Sequence, residues 1–196
     1  FIVESKSIKL YFNSFNMHDC GDTPEAALRH IAVRSMIDLS ELLETQVDVV
    51  LLQSHNISND TRYNVFSDDY QTLENIVDVS DIVFNYYSEL PDLLEVQPSG
   101  SLREDYSLRW HSGLLKSNCR VTSQPDWGDI YIHMDGAGGA PEPSSVLKYI
   151  ISFRDECHFH EEICETVYSR LMERYMPDDL CVTCLYARRG GIDINP

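Results

Sequence analysis

Residues 114–127 read Leu-Leu-Lys-Ser-Asn-Cys-Arg-Val-Thr-Ser-Gln-Pro-Asp-Trp, and they place Cys119 seven residues before Asp126. We predict two strand-like stretches across residues 119–134, joined by a bend at Pro125 that lets both side chains reach one pocket. Cysteine is a strong sulfur nucleophile, and an aspartate can donate or relay a proton. A single cysteine is nevertheless more often a small buried hydrophobe, so the spacing alone does not establish a catalytic pair.

The segments that follow predict two helices and a final strand. Asp135 to Gly139 turns the chain, and Ser144 or Ser145 caps a helix that runs to about Phe153. A second helix begins near His160 and stops before Pro177, and residues 180–187 form the last long strand. Strands, a helical pair and a further strand predict an α+β unit with both helices on one face of an antiparallel sheet.

The segments before residue 114 are less regular. Residues 1–15 alternate well enough to predict a strand with Ser5, Ser7, Lys9 and Tyr11 on one side. Asp22-Thr23-Pro24 predicts the start of a helix that extends to about Glu44. Residues 47–52 predict a short buried strand.

An acidic region follows, since residues 54–109 hold eleven Asp or Glu, three Arg and no Lys. We predict irregular loops there with one or two short strands, such as residues 82–87, and we interpret the charge as a solvated face. Gln97 to Ser101 predicts a turn or a linker between modules.

The composition limits the classes of function. The net charge of −17 argues against general nucleic-acid binding, which needs a basic surface. No apolar run approaches the roughly 18 residues that a membrane span needs, and no signal-peptide pattern is present. The chain begins with Phe1 rather than methionine, so we expect a piece of a longer protein.

The six cysteines are irregularly spaced, which favours free thiols in a reducing compartment. Cys181 and Cys184 lie in a predicted strand, where residues three apart point to opposite faces, so a redox motif is disfavoured. A zinc cluster of Cys157, His158, His160 and Cys164 is a second alternative, also less favoured than the interpretation that follows.

Residues 114–127 and four further sequence blocks together resemble the NADPH-dependent 7-cyano-7-deazaguanine reductases, the nitrile reductases of queuosine biosynthesis, in their long two-module form. The match covers the first sixteen residues and nearly everything from Gly113 onward, and it is weak to absent between. Besides residues 114–127, the blocks are Val3 to Tyr11, Ser152-Phe153-Arg154, Phe159-His160-Glu161 and Arg188 to Pro196.

The resemblance implies a tunnelling fold with two tandem modules. Residues 1–98 would be the remainder of an incomplete first module with the acidic loop region, and residues 99–196 would be the second module, which carries the nucleophile. It further implies a cytoplasmic homodimer that acts on 7-cyano-7-deazaguanine, with no membrane contact and no direct contact to nucleic acid.

The resemblance also implies the site residues. Cys119 would add to the nitrile to form a thioimide, and Asp126 would donate the proton. Substrate binding would fall to Val3, Glu4, Ser5, His160 and Glu161, and NADPH would be held by Ser5, Lys6, Arg189 and Gly190. No metal is implied, and no Gly-x-Gly-x-x-Gly follows a strand, so a Rossmann cofactor site is not expected.

Purely structural interpretations of the same residues remain open. Asp126 could merely cap a turn after proline, Glu161 could only stabilise the start of a helix, and the scattered cations could be a solvated surface. Two other functions are alternatives: a zinc-dependent cyclohydrolase or pterin-type enzyme of the same fold, and a non-catalytic assembly remnant.

Overall fold

A computed structural model describes residues 3–51, 69–97 and 104–187 of the chain. The chain divides into two compact units, Phe1–Asn64 and Val65–Pro196, and each is described by itself. Helices and one sheet occur together, so the predicted α+β class is confirmed. Within the described ranges, no helix is both long and apolar enough to cross a membrane.

The first unit begins with helix α1, Ser5–Ser14, where the sequence analysis predicted a strand. The carboxylate of Glu4 caps this helix by accepting a hydrogen bond from the Ser7 backbone N–H at 2.8 Å. The rings of Tyr11, Phe12 and Phe15 cluster edge to face and tilted, with centroids 5.3–6.4 Å apart. The strand prediction is wrong because spacings of three and four bring these rings onto one helical face, and this packing outweighs the period-two alternation.

Helix α2, Pro24–Leu43, confirms the predicted helix. The Thr23 hydroxyl accepts a hydrogen bond from the Ala26 backbone N–H at 3.2 Å, and Pro24 occupies the first turn. The predicted strand over 47–52 is wrong for residues 47–51, which form no regular element. Val47 instead donates its backbone N–H to the Ser40 hydroxyl at 3.0 Å, so the chain turns back onto α2.

Three long strands form the sheet of the second unit: β2 (Glu104–Cys119), β3 (Pro125–Gly138) and β5 (Asp179–Tyr186). They pair antiparallel in the order β2-β3-β5. Two further strands of two residues each, β1 (Gln71–Thr72) and β4 (Cys157–His158), pair parallel with β2. The sheet is therefore mixed rather than purely antiparallel.

The irregular loops predicted over 54–109 are partly wrong, because residues 104–109 open the long strand β2. The short strand expected over 82–87 is also absent, since those residues form neither helix nor strand. For residues 104–109 the reason is strand pairing. Residues 104–109 lie opposite residues 133–138 of β3, and this pairing compensates for the acidic start of β2.

Two longer helices pack on the sheet: α4 (Pro143–Ser152) and α5 (His160–Tyr175), preceded in the chain by the four-residue α3 (Leu73–Ile76). The predicted ends of α5 are confirmed, whereas α4 is capped by Glu142 rather than by a serine. Glu142 accepts a hydrogen bond from the Ser145 backbone N–H at 2.6 Å. Short 3₁₀ turns occupy Val79–Asp81, Pro91–Leu93 and Phe153–Asp155.

One hydrophobic core joins the helices to one face of the sheet. Alternate residues of β3 point into it, and Ile130, Ile132 and Met134 are buried. Leu73 and Leu94 belong to the same core, at 0% and 2% exposure. Residues 69–97 therefore pack with the strands that follow them, and the division into modules at residues 98 and 99 stays a prediction.

Candidate active site

The predicted nucleophile lies at the end of β2, immediately before a tight hairpin turn. Ser123 sits in that turn with a positive φ of 55°, and β3 starts at Pro125, where the sequence predicted the bend. The Cys119 backbone N–H donates to the Gln124 carbonyl, and its own carbonyl accepts from the Ser123 N–H, both at 2.8 Å. These two hydrogen bonds fix the backbone at Cys119.

The hairpin register places Cys119 and Asp126 on the same face. Ser117 lies directly opposite Asp126, and side chains two residues apart on a strand share a face, so Cys119 is the diagonal neighbour of Asp126. Both are buried, with 5% and 6% exposure. The structure therefore brings together the two residues that the sequence analysis proposed as a pair.

A second segment holds the strand end that carries Cys119. The Asn118 N–H donates to the Glu156 carbonyl at 2.8 Å, and the Asn118 side-chain amide donates to the Arg154 carbonyl at 3.2 Å. Strand β4 pairs with the same residues, since Cys119 lies opposite His158. The chain then enters α5, and this path places His160 beside the hairpin.

His160, the first residue of α5, contacts the predicted acid. Its Nε2 lies 3.4 Å from Oδ2 of Asp126, and its side chain is only 14% exposed. The imidazole stacks on the ring of Tyr186, at the end of β5, with centroids 3.7 Å apart and planes 7° from parallel. Three elements thus converge: the β2–β3 hairpin, the start of α5 and the end of β5.

Two buried hydroxyls at this site were not predicted from the sequence. Ser117 and Tyr186 are 0% and 5% exposed, and within the described part of the chain neither hydroxyl has a hydrogen-bond partner other than its neighbour. Burial raises the pKa of the Tyr186 phenol, and the nearby Cys184 and Asp126 raise it further, while a side-chain hydrogen bond with Ser117 lowers it. The phenol therefore stays neutral. A serine and a tyrosine in strands carry no sequence signal, and only the strand register reveals them.

The first turn of α5 carries two carboxylates. Glu162 caps the helix by accepting a hydrogen bond from the Phe159 backbone N–H at 2.8 Å, and it forms an ion pair with Arg120 at 2.8 Å. The Arg120 guanidinium also lies over the Phe159 ring, 5.2 Å from its centroid. Glu161 is half-buried beside His160. The role of Glu162 is structural, whereas Glu161 stays a predicted substrate ligand.

The remaining predicted residues lie in the first unit or outside the described residues. Val3 is half-buried and Glu4 caps α1, and both belong to the first unit. Ser5 and Lys6 start α1, but the structure does not describe their side chains. Arg189 and Gly190 lie outside the described residues. The contributions of all six residues to the site therefore stay predictions.

The other cysteines are placed differently from the nucleophile. Cys181 is exposed and Cys184 buried, which agrees with the prediction that they point to opposite faces of their strand. Cys164 donates to the Val182 carbonyl at 3.6 Å, and its hydrogen bond with Cys184 lowers the Cys164 pKa. His158 lies against Glu156 and Glu162 rather than against Cys164.

Comparison with known proteins finds relatives in the family that the sequence motifs suggested. Over 100% of its length the chain is 41% identical to a protein of Hahella chejuensis, 38% to one of Colwellia psychrerythraea and 40% to one of Legionella pneumophila. Each is named NADPH-dependent 7-cyano-7-deazaguanine reductase. The chain spans 62–65% of the length of these relatives.

Two further similarities are weaker. The family described as QueF-like protein matches residues 125–196. A crystal structure of the archaeosine synthase QueF-Like in the apo form is 15% identical, with a TM-score of 0.40 over 50% of this chain and 91% of the other. That structural likeness is too low to support an argument, so the relation depends on the sequence matches.

Proposed function

Because this chain is a homologue of the NADPH-dependent 7-cyano-7-deazaguanine reductases, we propose that it carries out their nitrile reduction through a covalent adduct on Cys119. The product would be 7-aminomethyl-7-deazaguanine, a precursor in tRNA queuosine biosynthesis. The observation that carries the proposal is the hairpin, which buries Cys119 and Asp126 on one face, with His160 against the carboxyl of Asp126.

The chemistry follows from the weak electrophilicity of a nitrile carbon. The Cys119 thiolate forms a C–S bond to that carbon, C≡N becomes C=N, and the nitrogen takes the proton of the Asp126 carboxyl. The result is a thioimide and an aspartate carboxylate, with charge conserved. Covalent addition divides one difficult reduction into easier steps. His160 lies 3.4 Å from Asp126, where it can orient that carboxyl.

Recognition of the base is assigned to the start of α5. An ionised Glu161 can accept hydrogen bonds from a ring N–H and an exocyclic amine, which guanine-like bases present on one edge. A helix N-terminus favours such a carboxylate, and a base without these donors would leave it unpaired. His160 completes this part of the site, and Val3, Glu4 and Ser5 are proposed as further substrate contacts.

NADPH is the proposed cofactor, because the names of the relatives describe them as NADPH-dependent. When bound, it supplies hydride, and reduction of the nitrile to the amine consumes two molecules. Lys6 and Arg189 provide the local cations that a 2′-phosphate needs in a chain with a net charge of −17. Ser5 and Gly190 complete the proposed contacts, since Gly190 lets the backbone approach a phosphate closely.

The remaining parts of the proposal concern partners and location. We propose a cytoplasmic homodimer that acts on a small molecule. The strong negative charge of the chain supports the absence of direct contacts with nucleic acid.

The test is mass spectrometry of the chain incubated with 7-cyano-7-deazaguanine alone. We expect an added mass equal to that of the nitrile, mapped to Cys119 and absent from Cys119→Ala. Cys157→Ala is the matched control, because Cys157 is exposed and pairs beside the same strand end. An adduct on Cys157 or Cys164, or bound zinc in place of any adduct, would contradict the assignment.

A further inference from the structure

The hydroxyl of Tyr186 is a polar group buried in the protein core. The residue is 5% exposed, and the structure gives its hydroxyl no hydrogen-bond partner other than Ser117 among the described residues. Phenylalanine would fill the same space without burying a polar group. Two hydroxyls that face only each other leave one of their donors unused. A buried donor without a partner costs folding free energy, so a phenol at this position opposes stability.

Ser117 shows the same feature, and the two side chains are neighbours. Its hydroxyl is completely buried, and within the described part of the chain it has no partner other than the Tyr186 phenol, whose pKa it lowers through a hydrogen bond. Ser117 lies directly opposite Asp126 across the hairpin, where side chains on one face are in contact range. Two hydroxyls with no partner but each other thus border the carboxyl that the proposed reaction ionises.

We propose that Ser117 and Tyr186 are positioning residues whose hydroxyls donate to the Asp126 carboxylate once it has given its proton to the nitrile nitrogen. The inference depends on the proposed function and deepens it. In the proposed reaction Asp126 gives its proton to the nitrile nitrogen, and the negative charge that it then carries needs hydrogen-bond donors. The ring of Tyr186 meanwhile keeps His160 stacked and facing Asp126.

Hydroxyls suit this task better than cations would. A neutral donor does not attract the proton away from the acid by charge, yet it can rotate to meet a carboxylate as the charge forms. The Tyr186 phenol stays neutral because burial raises its pKa, so its proton remains available to donate. Hydrogen bonds to an ionised group are among the strongest neutral-to-charged contacts in proteins.

The experiment measures thermal stability, nitrile affinity and the rate of thioimide formation in the same preparations. Tyr186→Phe keeps the ring on His160 and removes only the hydroxyl. We expect the adduct to form about tenfold more slowly at saturating nitrile, with unchanged affinity and an equal or higher Tm. Ser117→Ala should behave in the same way.

Tyr175→Phe is the matched control. Tyr175 is buried to a similar extent, but its hydroxyl donates to the Glu95 carbonyl at 2.9 Å, away from the hairpin. This variant should lose stability and keep the wild-type rate. The two variants therefore differ in the direction of the change in Tm. Removing a hydroxyl that stabilises the fold lowers Tm, whereas removing the Tyr186 hydroxyl leaves Tm equal or raises it.

Three results would overturn the inference while leaving the proposed function intact. They are a wild-type rate in Tyr186→Phe, a fall in its Tm like that of Tyr175→Phe, and a slow rate explained by weaker nitrile affinity. If the wild-type chain itself forms no adduct, the proposed function fails, and this inference fails with it.

Discussion

At the scale of single residues, the site is defined by what holds Cys119 and Asp126 in place. Both backbone groups of Cys119 are hydrogen-bonded across the turn, and Asp126 is enclosed by Ser117, His160 and the hairpin. A reacting group that is fixed before the substrate arrives loses little entropy in the reaction. The geometry therefore favours roles in the chemical step over roles in binding.

Asp126→Asn tests that distinction. An amide cannot supply the acidic proton, so we expect turnover to fall by about 100-fold or more while the affinity for the nitrile changes little. Asp129→Asn is the matched control, because Asp129 lies on the same strand, half-exposed, and pairs with His111 at 3.0 Å. Steady-state kinetics will separate kcat from KM. Unchanged turnover with weaker binding would make Asp126 a recognition residue.

At the scale of elements, sequence reasoning succeeds where local signals define both ends. Pro24 begins α2, and Pro177 follows the last turn of α5, so both helices were predicted with nearly correct ends. Sequence reasoning fails where the residues of one segment fit both the two-residue period of a strand and the 3.6-residue period of a helix. Residues 5–11 alternate as a strand would, but the aromatic cluster of Tyr11, Phe12 and Phe15 forms only on a helix.

The site shows the same limit. Cys119, Asp126 and His160 could be singled out because their motifs are specific, and the structure brings them together. Ser117 and Tyr186 could not, because their importance depends on strand pairing and on their hydroxyls having no partner but each other among the described residues. Those properties depend on contacts between residues that are distant in the sequence, so local sequence patterns do not reveal them.

The end of helix α5 yields a prediction about alkaline stability. The Tyr175 hydroxyl and the Arg174 guanidinium donate to the carbonyls of Glu95 and Leu94, both at 2.9 Å. Burial raises the pKa of Tyr175 from 10.0 to about 12. The unfolded state therefore loses the phenolic proton first, and the corresponding stability, about 3 kcal/mol, is present below pH 10 and lost as pH rises to 12.

Urea unfolding at pH 9, 10, 11 and 12 will check this expectation. In Tyr175→Phe, the fall in the free energy of unfolding across this range should be shallower than in the wild type, because other tyrosines still contribute. Tyr87→Phe serves as the control, since Tyr87 is exposed. Equal slopes in Tyr175→Phe and the wild type would show that Tyr175 does not titrate differently in the folded state.

At the scale of the whole molecule, charge determines how an anionic cofactor could bind. With a net charge of −17, the chain repels NADPH at long range, so local cations must compensate. We expect Lys6→Ala and Arg189→Ala to raise KM for NADPH at least tenfold more than KM for NADH, and added salt to weaken NADPH binding. Lys148→Ala, on α4, is the control cation. Equal losses for both cofactors would exclude a contact with the 2′-phosphate.

The predicted division of the chain into two modules can be tested by producing the two parts separately. Separation near Ser99 should give two pieces that each form no thioimide and oxidise no NADPH. For the second piece the reason is physical, since residues 99–196 lack Leu73 and Leu94, which are fully buried in the core of that unit. Each such leucine contributes roughly 2–5 kcal/mol, against a total stability of about 5–15 kcal/mol for a domain.

A fragment of residues 65–196 is the matched comparison, because it keeps both leucines, the β1–β2 pairing and the hydrogen bond from the Gln97 N–H to the Ala140 carbonyl at 2.8 Å. We expect it to unfold cooperatively in urea, whereas residues 99–196 should show no cooperative transition. The longer fragment should still oxidise no NADPH, because Lys6 and Ser5 lie in the first unit. If residues 99–196 alone fold and turn over, residues 69–97 are dispensable and the predicted two-part site is wrong.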